Sequence, residues 1–439
     1  MSTRPFRFDV DLIAYRALGL STPVSFRNAM RSALGQTVVL REDIDIEPGH
    51  HSFVSALDIE NIDGRYMLSG GHDGNIVIHD VGRKAEPGAK ILPLITATGQ
   101  DQQNQQNRPT RARTPQRRHS HLISSVQWYP VDTGIFITSC KGGLVKVWDA
   151  NRFEPVSKFV LGKRVNCAVM SSVATRHQLV AVGTNEKFIS LCDLRTGGAT
   201  QCLEGHGGQI LSIAWSPINE YIVATGSSDR SVRLWDVRKS SYSSCLQIFD
   251  RLETKATRQK RTKESLTPSV CASSDVDGRR SHQFKRRRIS GPIGLFDKSV
   301  TTSHTGEVTG VSFSPDGFFL VSVSARKMMC WSTMDATNMR VDYSRFFSPF
   351  QSQESPLMVV QSGASKDARI LVPDDLGDIM MYSLHDGTLL GTLSGHFEAV
   401  TCLAKRDIGG EVKFYSGSQD NSIFAWGAPR IHEDHKARR

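Results

Sequence analysis

One sequence pattern recurs seven times along this chain and constrains its fold more than any other feature. Six copies end in SGGHDGNIVIHD, TSCKGGLVKVWD, VGTNEKFISLCD, ATGSSDRSVRLWD, SVSARKMMCWS and YSGSQDNSIFAW, and a weaker seventh copy is LVPDDLGDIMMYSL. Four of the six intervals between copies are roughly 43 to 51 residues long, so each copy is one structural unit. Aligned on the tryptophan of the best copies, the seven positions are His79, Trp148, Cys192, Trp235, Trp331, Tyr382 and Trp426.

The two longer intervals contain polar inserts. The first holds QDQQNQQNRPTRARTPQRR, and the second holds a stretch rich in Ser, Thr, Lys and Arg from Arg251 to Lys298. Neither stretch has enough apolar residues to form a core of its own. Without them both intervals return to the common period, so we expect disordered inserts at about 98–118 and 251–300 within one repeat domain.

A period of about 40 to 45 residues with Gly-His and Trp-Asp signatures resembles the WD repeat, in which four short strands form one blade of a propeller. Apolar Val232 and Leu234 flank polar Arg233, an alternation typical of a strand. The sequence therefore predicts an all-β fold, a seven-bladed WD40 β-propeller over residues 36–428. Because an open ring leaves an unpaired edge, we expect the segment TVVLREDIDI at 37–46 to add a strand to the outer edge of the last blade.

The fourth and seventh copies carry the complete set of polar residues of the repeat. Asp and His side chains can form a hydrogen-bond network inside a blade, so we assign these residues a structural role. The set comprises His206, Thr225, Asp229 and Trp235 in blade 4, and His396, Ser416, Asp420 and Trp426 in blade 7. The turn aspartate is replaced by Gly142 in blade 2 and by Ala325 in blade 5. Those blades are expected to depend more on apolar packing.

Residues 1–35 precede the repeats and have helical signals. The segment 9–18 starts with acidic residues and is followed by Gly19, which favours a short helix. In the next segment Pro23 suits a first helical turn, and apolar residues recur on one face. The sequence predicts a helix-loop-helix extension whose apolar stripe is covered either by the propeller or by a partner. Residues 429–439 form a polar tail.

The net charge of +10 is concentrated in the inserts. Residues 251–298 contain 13 Lys and Arg against 5 Asp and Glu, and residues 100–120 contain 5 against 1. The rest of the chain is close to neutral, so any DNA-binding face driven by charge is expected in the inserts. The cluster Lys285, Arg286, Arg287 and Arg288 is a candidate for nuclear import or nucleic-acid binding, and a solvated loop is the alternative.

The sequence shows no motif for catalysis. It lacks an H-E-x-x-H motif, metal-spaced Cys and His residues and a phosphate-binding loop of the G-x-x-x-x-G-K-[ST] kind. We therefore expect a binding platform that is not an enzyme and uses no cofactor. No run of 18 apolar residues is present, and Arg4 and Arg7 interrupt the N-terminal segment, so we expect an intracellular protein without a membrane span.

Longer phrases carry a more specific resemblance. The segments ALGQTVVLREDIDIEPGHHSFVSALDIENIDGRYMLSGGHDGNIVIHD, SSVQWYPVDTGIFITSCKGGLVKVWDA, HQLVAVGTNEKFISLCDLRTG, GGQILSIAWSPINEYIVATGSSDRSVRLWDVR, GHFEAVTCLAKRD and YSGSQDNSIFAW closely resemble the Cockayne syndrome protein A family of WD-repeat DNA excision repair proteins. The resemblance covers the propeller and is looser in the N-terminal extension. It implies a substrate receptor of a cullin-RING ubiquitin ligase in transcription-coupled nucleotide excision repair.

The resemblance also implies where partners bind. In such receptors the N-terminal helices and a WD-x-R box engage the damage-specific DNA-binding adaptor subunit, which carries the cullin and the RING protein. The box reads WDVR at 235–238, and CDLR at 192–195 is similar. Asp and Arg at this point also occur in blades that only close their own turns, so both interpretations stay open. The implied adaptor contacts are Leu12, Ile13, Tyr15, Leu18, Phe26, Met30, Asp236, Arg238 and Arg195.

Further partners follow from the same resemblance. They are the Cockayne syndrome B-type ATPase and the RNA polymerase II elongation complex, which implies a location in the nucleus. Direct contact with DNA is compatible with this role and is not required by it. The alternative from the residues alone is a WD-repeat scaffold or histone-binding chromatin protein that works without a ligase.

Overall fold

The computed structural model describes most of the repeat region. The predicted N-terminal extension, most of both inserts and the C-terminal tail lie outside the described residues, so the boundaries predicted for them stay predictions. The described ranges are 38–82, 90–97, 118–239, 244–252, 302–325, 327–343, 356–361, 368–406 and 412–428.

Seven sheets follow one another along the chain, one for each repeat, and all strand pairs in them are antiparallel except one short pair, Asp45–Ile46 with Lys90–Ile91, at the edge of blade 7. Two short strands come first, β1 (Val39–Leu40) and β2 (Asp45–Ile46). Blade 1 contains β3 (Val54–Ile59), β4 (Tyr66–Gly71), β5 (Ile76–Asp80) and, after the short β6 (Lys90–Ile91), β7 (Pro93–Thr96). Blade 2 contains β8 (Ile123–Trp128), β9 (Ile135–Cys140), β10 (Leu144–Asp149) and β11 (Glu154–Val160). Blade 3 contains β12 (Val165–Met170), β13 (Leu179–Thr184), β14 (Phe188–Asp193) and β15 (Gly198–Glu204).

The remaining blades continue the same order. Blade 4 contains β16 (Ile210–Trp215), β17 (Ile222–Ser227), β18 (Val232–Asp236) and β19 (Cys245–Ile248). The described part of blade 5 contains β20 (Val308–Phe313), β21 (Phe319–Ser324) and β22 (Lys327–Ser332). Blade 6 contains β23 (Met358–Gln361), β24 (Ala368–Pro373), β25 (Ile379–Ser383) and β26 (Leu389–Leu393), and blade 7 contains β27 (Val400–Lys405), β28 (Val412–Ser418) and β29 (Ile423–Gly427). The predicted seven-bladed propeller is confirmed.

The tryptophan position of the repeat is the centre of each blade. It lies on the third strand, which in every blade except the described part of blade 5 has a paired strand on each side, and a large side chain there packs into the layer between adjacent blades. All seven side chains are almost completely buried, which confirms the alignment of the repeats: His79, Trp148, Cys192, Trp235, Trp331, Tyr382 and Trp426.

The blades pack closely where each second strand meets the next first strand. A Cβ added at Gly226 would lie 2.6 Å from Cγ1 of Val308, and one at Gly417 would lie 2.9 Å from Cγ1 of Val54. Glycine at these positions therefore allows a β-branched residue of the next blade to fill the gap. Because this contact repeats around the ring, the cores of neighbouring blades are continuous.

Side chains also join the first strands of adjacent blades. Gln127 accepts a 2.6 Å hydrogen bond from the Met170 amide and donates to the Met170 carbonyl at 3.2 Å. Ser212 accepts from the Val311 amide at 3.0 Å. These bonds satisfy backbone groups that face the central channel and have no strand partner on that side.

The predicted closure strand is confirmed in its pairing and corrected in its length. Val39 pairs with Gly427 and Leu40 with Trp426, which adds β1 to the outer edge of blade 7. The segment is not one strand, because a turn separates β1 from β2, and Arg41 and Asp43 form a 2.8 Å ion pair in that turn. The second strand returns to the same edge through the pairing of its last residue, Ile46, with Ile423.

The two ends of the blades form two faces of the molecule. The lower face carries the loops between first and second strands and the loops after third strands, because strands alternate in direction within each blade. The upper face carries the turns between second and third strands and the loops that enter each new blade. Arg195 and Arg238 follow third strands, so both lie on the lower face.

Candidate functional site

The WD-x-R box of blade 4 holds one arginine in a fixed position on the lower face. Strand β18 ends at Asp236, whose side chain is 5% exposed, and Arg238 follows in the loop with its side chain 58% exposed. Nε of Arg238 donates to Oδ1 of Asp236 at 3.0 Å, and Nη2 donates to Oδ2 at 2.8 Å. This two-point pairing fixes the plane of the guanidinium.

An aromatic ring supports the same guanidinium. Cζ of Arg238 lies 4.5 Å from the centre of the Tyr221 ring, within the range of a cation–π contact. The hydrogen bond from Arg238 lowers the pKa of Asp236, and the same bond raises the pKa of Arg238, so both groups are charged near neutral pH. The site therefore presents an oriented positive charge to a partner.

A contact between blades 3 and 4 holds Tyr221 in place. The His177 ring packs against Tyr221 at 5.6 Å, and its Nε2 lies 2.7 Å from the Glu220 carbonyl oxygen. The Glu220 carboxylate accepts from the amides of Thr175 at 2.8 Å and Arg176 at 3.2 Å. Glu220 was not among the predicted site residues, because its partners are 45 and 44 residues away and belong to another repeat.

The lower face that carries this arginine also exposes apolar side chains. The loops between first and second strands in blades 1 to 5 each expose a large apolar side chain: Ile62, Val131, Val173, Ile218 and Phe318. Adjacent loops touch, since a Cβ at Gly317 would lie 2.6 Å from Cγ1 of Ile218. An apolar rim beside an oriented charge is the composition of a protein-binding surface.

The similar box of blade 3 has a different geometry. Arg195 is exposed, and its backbone amide donates to Oδ1 of Asp193 at 2.9 Å. Among the described residues its guanidinium forms no ion pair with Asp193 and no cation–π contact. The two boxes look alike in sequence, but only Arg238 is held by a carboxylate and a ring.

The predicted network of blade 4 is present on the upper side of the blade. Nε2 of His206 lies 2.7 Å from Oγ1 of Thr225, and Nε1 of Trp235 donates to the same oxygen at 2.8 Å. Nδ1 of His206 lies 2.9 Å from Oδ2 of Asp229. Burial acts to raise the pKa of Asp229, but hydrogen bonds from His206, from Ser231 and from a backbone amide outweigh it and lower this pKa.

Blade 7 has the same network. Nε2 of His396 lies 2.7 Å from Oγ of Ser416, which also accepts from Nε1 of Trp426 at 2.7 Å. Nδ1 of His396 lies 3.1 Å from Oδ2 of Asp420. Burial lowers the pKa of His396, so the ring is neutral in the fold.

The expectation for blades 2 and 5 was incomplete. His119 lies 2.7 Å from Oγ1 of Thr138 in blade 2, and His304 lies 2.6 Å from Oγ of Ser322 in blade 5. In blade 1, His50 lies 2.9 Å from Ser69. In blades 2 and 5 the pairing of histidine and hydroxyl therefore persists without the turn aspartate, and all three histidines could have been found by counting 27 to 29 residues back from the tryptophan position.

Comparison with known proteins agrees with this geometry. The model of the family described as "WD domain, G-beta repeat" matches residues 42–80, 197–236, 297–332 and 387–427. Each of these four segments ends on the third strand of a blade. The chain is a WD-repeat β-propeller.

Several curated proteins are similar to this WD-repeat chain. WD repeat-containing protein ATCSA-1 of Arabidopsis thaliana is 26% identical over 457 aligned residues, which cover 97% of this chain and 96% of that protein. Radiation-sensitive protein 28 of Saccharomyces cerevisiae is 33% identical over 117 residues, which cover 25% of this chain and 23% of that protein. Ribosome biogenesis protein WDR12 homolog of Chlamydomonas reinhardtii is 27% identical over 205 residues, which cover 43% of each chain.

Two predicted sites of the WD-repeat protein lie outside the described residues. They are the adaptor contacts of the extension, Leu12, Ile13, Tyr15, Leu18, Phe26 and Met30, and the basic cluster Lys285, Arg286, Arg287 and Arg288. Within the described ranges, no group of three or more His, Cys, Asp or Glu residues could hold a metal ion. The part of the chain that the structure describes also contains no helix with the length and apolarity to cross a membrane.

Proposed function

We propose that this WD-repeat protein is the substrate receptor of a cullin-RING ubiquitin ligase that acts in transcription-coupled nucleotide excision repair at stalled RNA polymerase II. The observation that carries the proposal is the oriented guanidinium of Arg238 on an apolar face, at the WD-x-R position. Similarity to ATCSA-1 along almost the whole chain supports the same role.

The lower face is the proposed adaptor-binding surface. Arginine that is already paired and stacked loses little side-chain entropy when it binds, which favours it as a contact residue. Exposed Val173 and Ile218 lie on the loops of blades 3 and 4 beside it. The extension at 1–35 joins the propeller through β1, whose Val39 pairs with Gly427 at the lower end of β29. The chain therefore enters the propeller at the lower face.

Such a receptor performs no chemistry of its own. It holds a target beside the ubiquitin-loaded enzyme, and the gain in rate comes from effective concentration. The Cockayne syndrome B-type ATPase and the polymerase are its proposed partners on the upper face. Nuclear import would use the basic cluster at 285–288.

A test compares variants in adaptor binding. Arg238→Glu reverses the oriented charge, Arg195→Glu reverses the unsupported one, and Lys187→Glu is a charge-matched control in the upper turn of blade 3. We expect Arg238→Glu to weaken co-purification of the adaptor at least tenfold, and deletion of residues 1–35 to abolish it. The proposed receptor role also requires that the cullin and the RING protein co-purify with the wild-type chain.

The alternative is a WD-repeat scaffold without a ligase. Local similarity to a ribosome biogenesis protein over about two fifths of the chain is what shared repeats alone produce. Purification of the protein with its bound partners from cells with transcription-blocking damage distinguishes the ligase receptor from the scaffold. Histones or preribosomal proteins without adaptor and cullin would refute the proposed receptor role.

A further inference from the structure

The upper face carries an apolar pair where blades 6 and 7 meet. Phe397 is 90% exposed and Leu376 is 75% exposed, more than any other large apolar side chain among the described residues. They belong to different loops, the turn between β24 and β25 and the loop that enters blade 7. Large exposed apolar residues on adjoining loops are a feature of interaction surfaces.

The backbone holds both side chains outward. Gly377 has a φ of +93°, and a Cβ there would collide with the carbonyl oxygen of His396, so the two loops are in direct contact. The Leu376 amide donates to Oδ1 of Asp374 at 2.9 Å. The Phe397 amide donates to Oδ2 of Asp420 at 3.0 Å. The exposed pair is therefore built on ordered turns.

Acidic side chains border the pair. Asp374 and Asp375 precede Leu376, and exposed Glu398 follows Phe397. None of these three carboxylates forms an ion pair with any of the described residues. Burial raises the pKa of Asp375, and the nearby charge of Asp374 acts in the same direction, so these two carboxylates lie close enough to repel each other. The chain outside the inserts is close to neutral, so these three carboxylates form a local concentration of negative charge.

We propose that this surface, defined by Asp374, Asp375, Leu376, Phe397 and Glu398, is a docking site for a partner segment in which basic residues alternate with large apolar ones. Apolar side chains of the segment would cover Leu376 and Phe397. Its Lys or Arg residues would pair with the carboxylates, and an acidic segment would be repelled. The site does not depend on the ligase role and lies on the face opposite Arg238.

The direct test uses a defined probe and the full chain. Fluorescence anisotropy measures binding of a labelled synthetic peptide of about 12 residues in which Lys and Arg alternate with Leu and Phe, beside a peptide with Glu and Asp in place of the basic residues. We expect the basic peptide to bind and the acidic one to bind at least tenfold more weakly. Equal binding of both peptides would overturn the charge part of the proposal.

Variants locate the site. Leu376→Ser with Phe397→Ser should weaken binding of the basic peptide at least tenfold, and Glu398→Lys should weaken it several-fold. Val156→Ser is the matched control, because Val156 is exposed on the outer strand of blade 2. We expect each variant to fold, since none of the replaced side chains is buried. Thermal unfolding verifies this. Unchanged affinity in the double variant would refute the site.

One result would assign the surface to a different occupant. Residues 253–300 are basic and enter and leave the propeller on the upper face, between blades 4 and 5. If the peptide binds only after these residues are replaced by a short Gly-Ser linker, the chain's own insert occupies the surface and the proposal of an external partner is wrong. We expect the intact chain to bind the peptide as tightly as the shortened one. This assay contains no adaptor, so its outcome is independent of the proposed receptor role.

Discussion

At the scale of single residues, one hydroxyl in each network serves two buried partners. Oγ1 of Thr225 lies 2.7 Å from the His206 ring nitrogen and accepts the indole hydrogen bond of Trp235. Both partners are buried and neither can reach water. Loss of the hydroxyl would leave two polar atoms unsatisfied, which costs more than the net value of one hydrogen bond.

Replacement of Thr225 should therefore lower the stability of the protein substantially. We expect Thr225→Val, which keeps the shape, to lower the free energy of unfolding by about 2 to 4 kcal/mol. Thr392→Val is the control, because Thr392 is exposed on the outer strand of blade 6. Urea denaturation gives both values. A loss below that of the control would show that the network contributes nothing to stability.

The buried histidines predict how stability depends on pH. Burial lowers the pKa of His304 to about 3 in the fold, and the charge of Lys327 acts in the same direction. The unfolded chain takes up the proton near pH 6.5, so stability is lost as the pH falls from 6.5 toward 3. Between pH 7 and pH 5 this one residue should remove about 2 kcal/mol.

A variant isolates that contribution. His304→Gln should be less stable than the wild type at pH 7, but its free energy of unfolding should fall by about 2 kcal/mol less between pH 7 and pH 5. Chemical denaturation at the two pH values measures both quantities. An identical pH dependence in the two proteins would mean that the pKa of His304 does not change on folding.

Residue-level prediction from the sequence succeeded where the whole motif is written. His206 and His396 follow glycine and precede a turn aspartate, so their networks were predictable. His119 and His304 lack both signals and were missed, because nothing else in the sequence shows that they meet Thr138 and Ser322 once the strands pair. Glu220 was missed for a similar reason, since its role exists only once blades 3 and 4 are adjacent.

At the scale of elements, strand β1 closes the ring of blades. Strand β1 supplies the outer edge of blade 7 although it lies at the other end of the chain. Leu40 is half-buried against the cluster that contains Trp426, and Val39 on the opposite side is exposed. The need to close the ring predicted the strand, but the turn at Arg41 and Asp43 depends on an ion pair that the sequence pattern cannot show.

The two neighbouring residues of β1 provide a matched pair of variants. Leu40→Asp places a charge in the apolar cluster and should lower the free energy of unfolding by about 2 to 3 kcal/mol. Val39→Asp has the same effect on strand propensity but leaves the charge in water, so we expect a loss below about 1 kcal/mol. Thermal or urea unfolding compares them. Equal losses would show that pairing alone, without packing, closes the ring.

At the scale of the whole molecule, the ring and the inserts have separate properties. The repeats predicted the fold because each blade repeats one buried pattern, and the position of Trp235 recurs in all seven. Faces and docking residues were less predictable, since loops of different repeats meet only after the ring closes. Ile218 beside Gly317, and Gly377 beside the His396 carbonyl, are contacts of that kind.

The charge distribution makes one prediction for the entire chain. Residues 253–300 hold 12 Lys and Arg against 5 Asp and Glu, so replacing them with a neutral linker would lower the net charge from +10 to about +3. Retention on immobilised heparin increases with the positive charge that can contact this polyanion. Binding releases counterions, so the retention falls as the salt concentration rises. We expect the shortened chain to elute at a clearly lower salt concentration than the wild type, and replacement of only Lys285 to Arg288 by alanine to give an intermediate value. Elution of all three proteins at the same salt concentration would place the basic surface on the propeller itself, against the near-neutral balance of the remaining sequence.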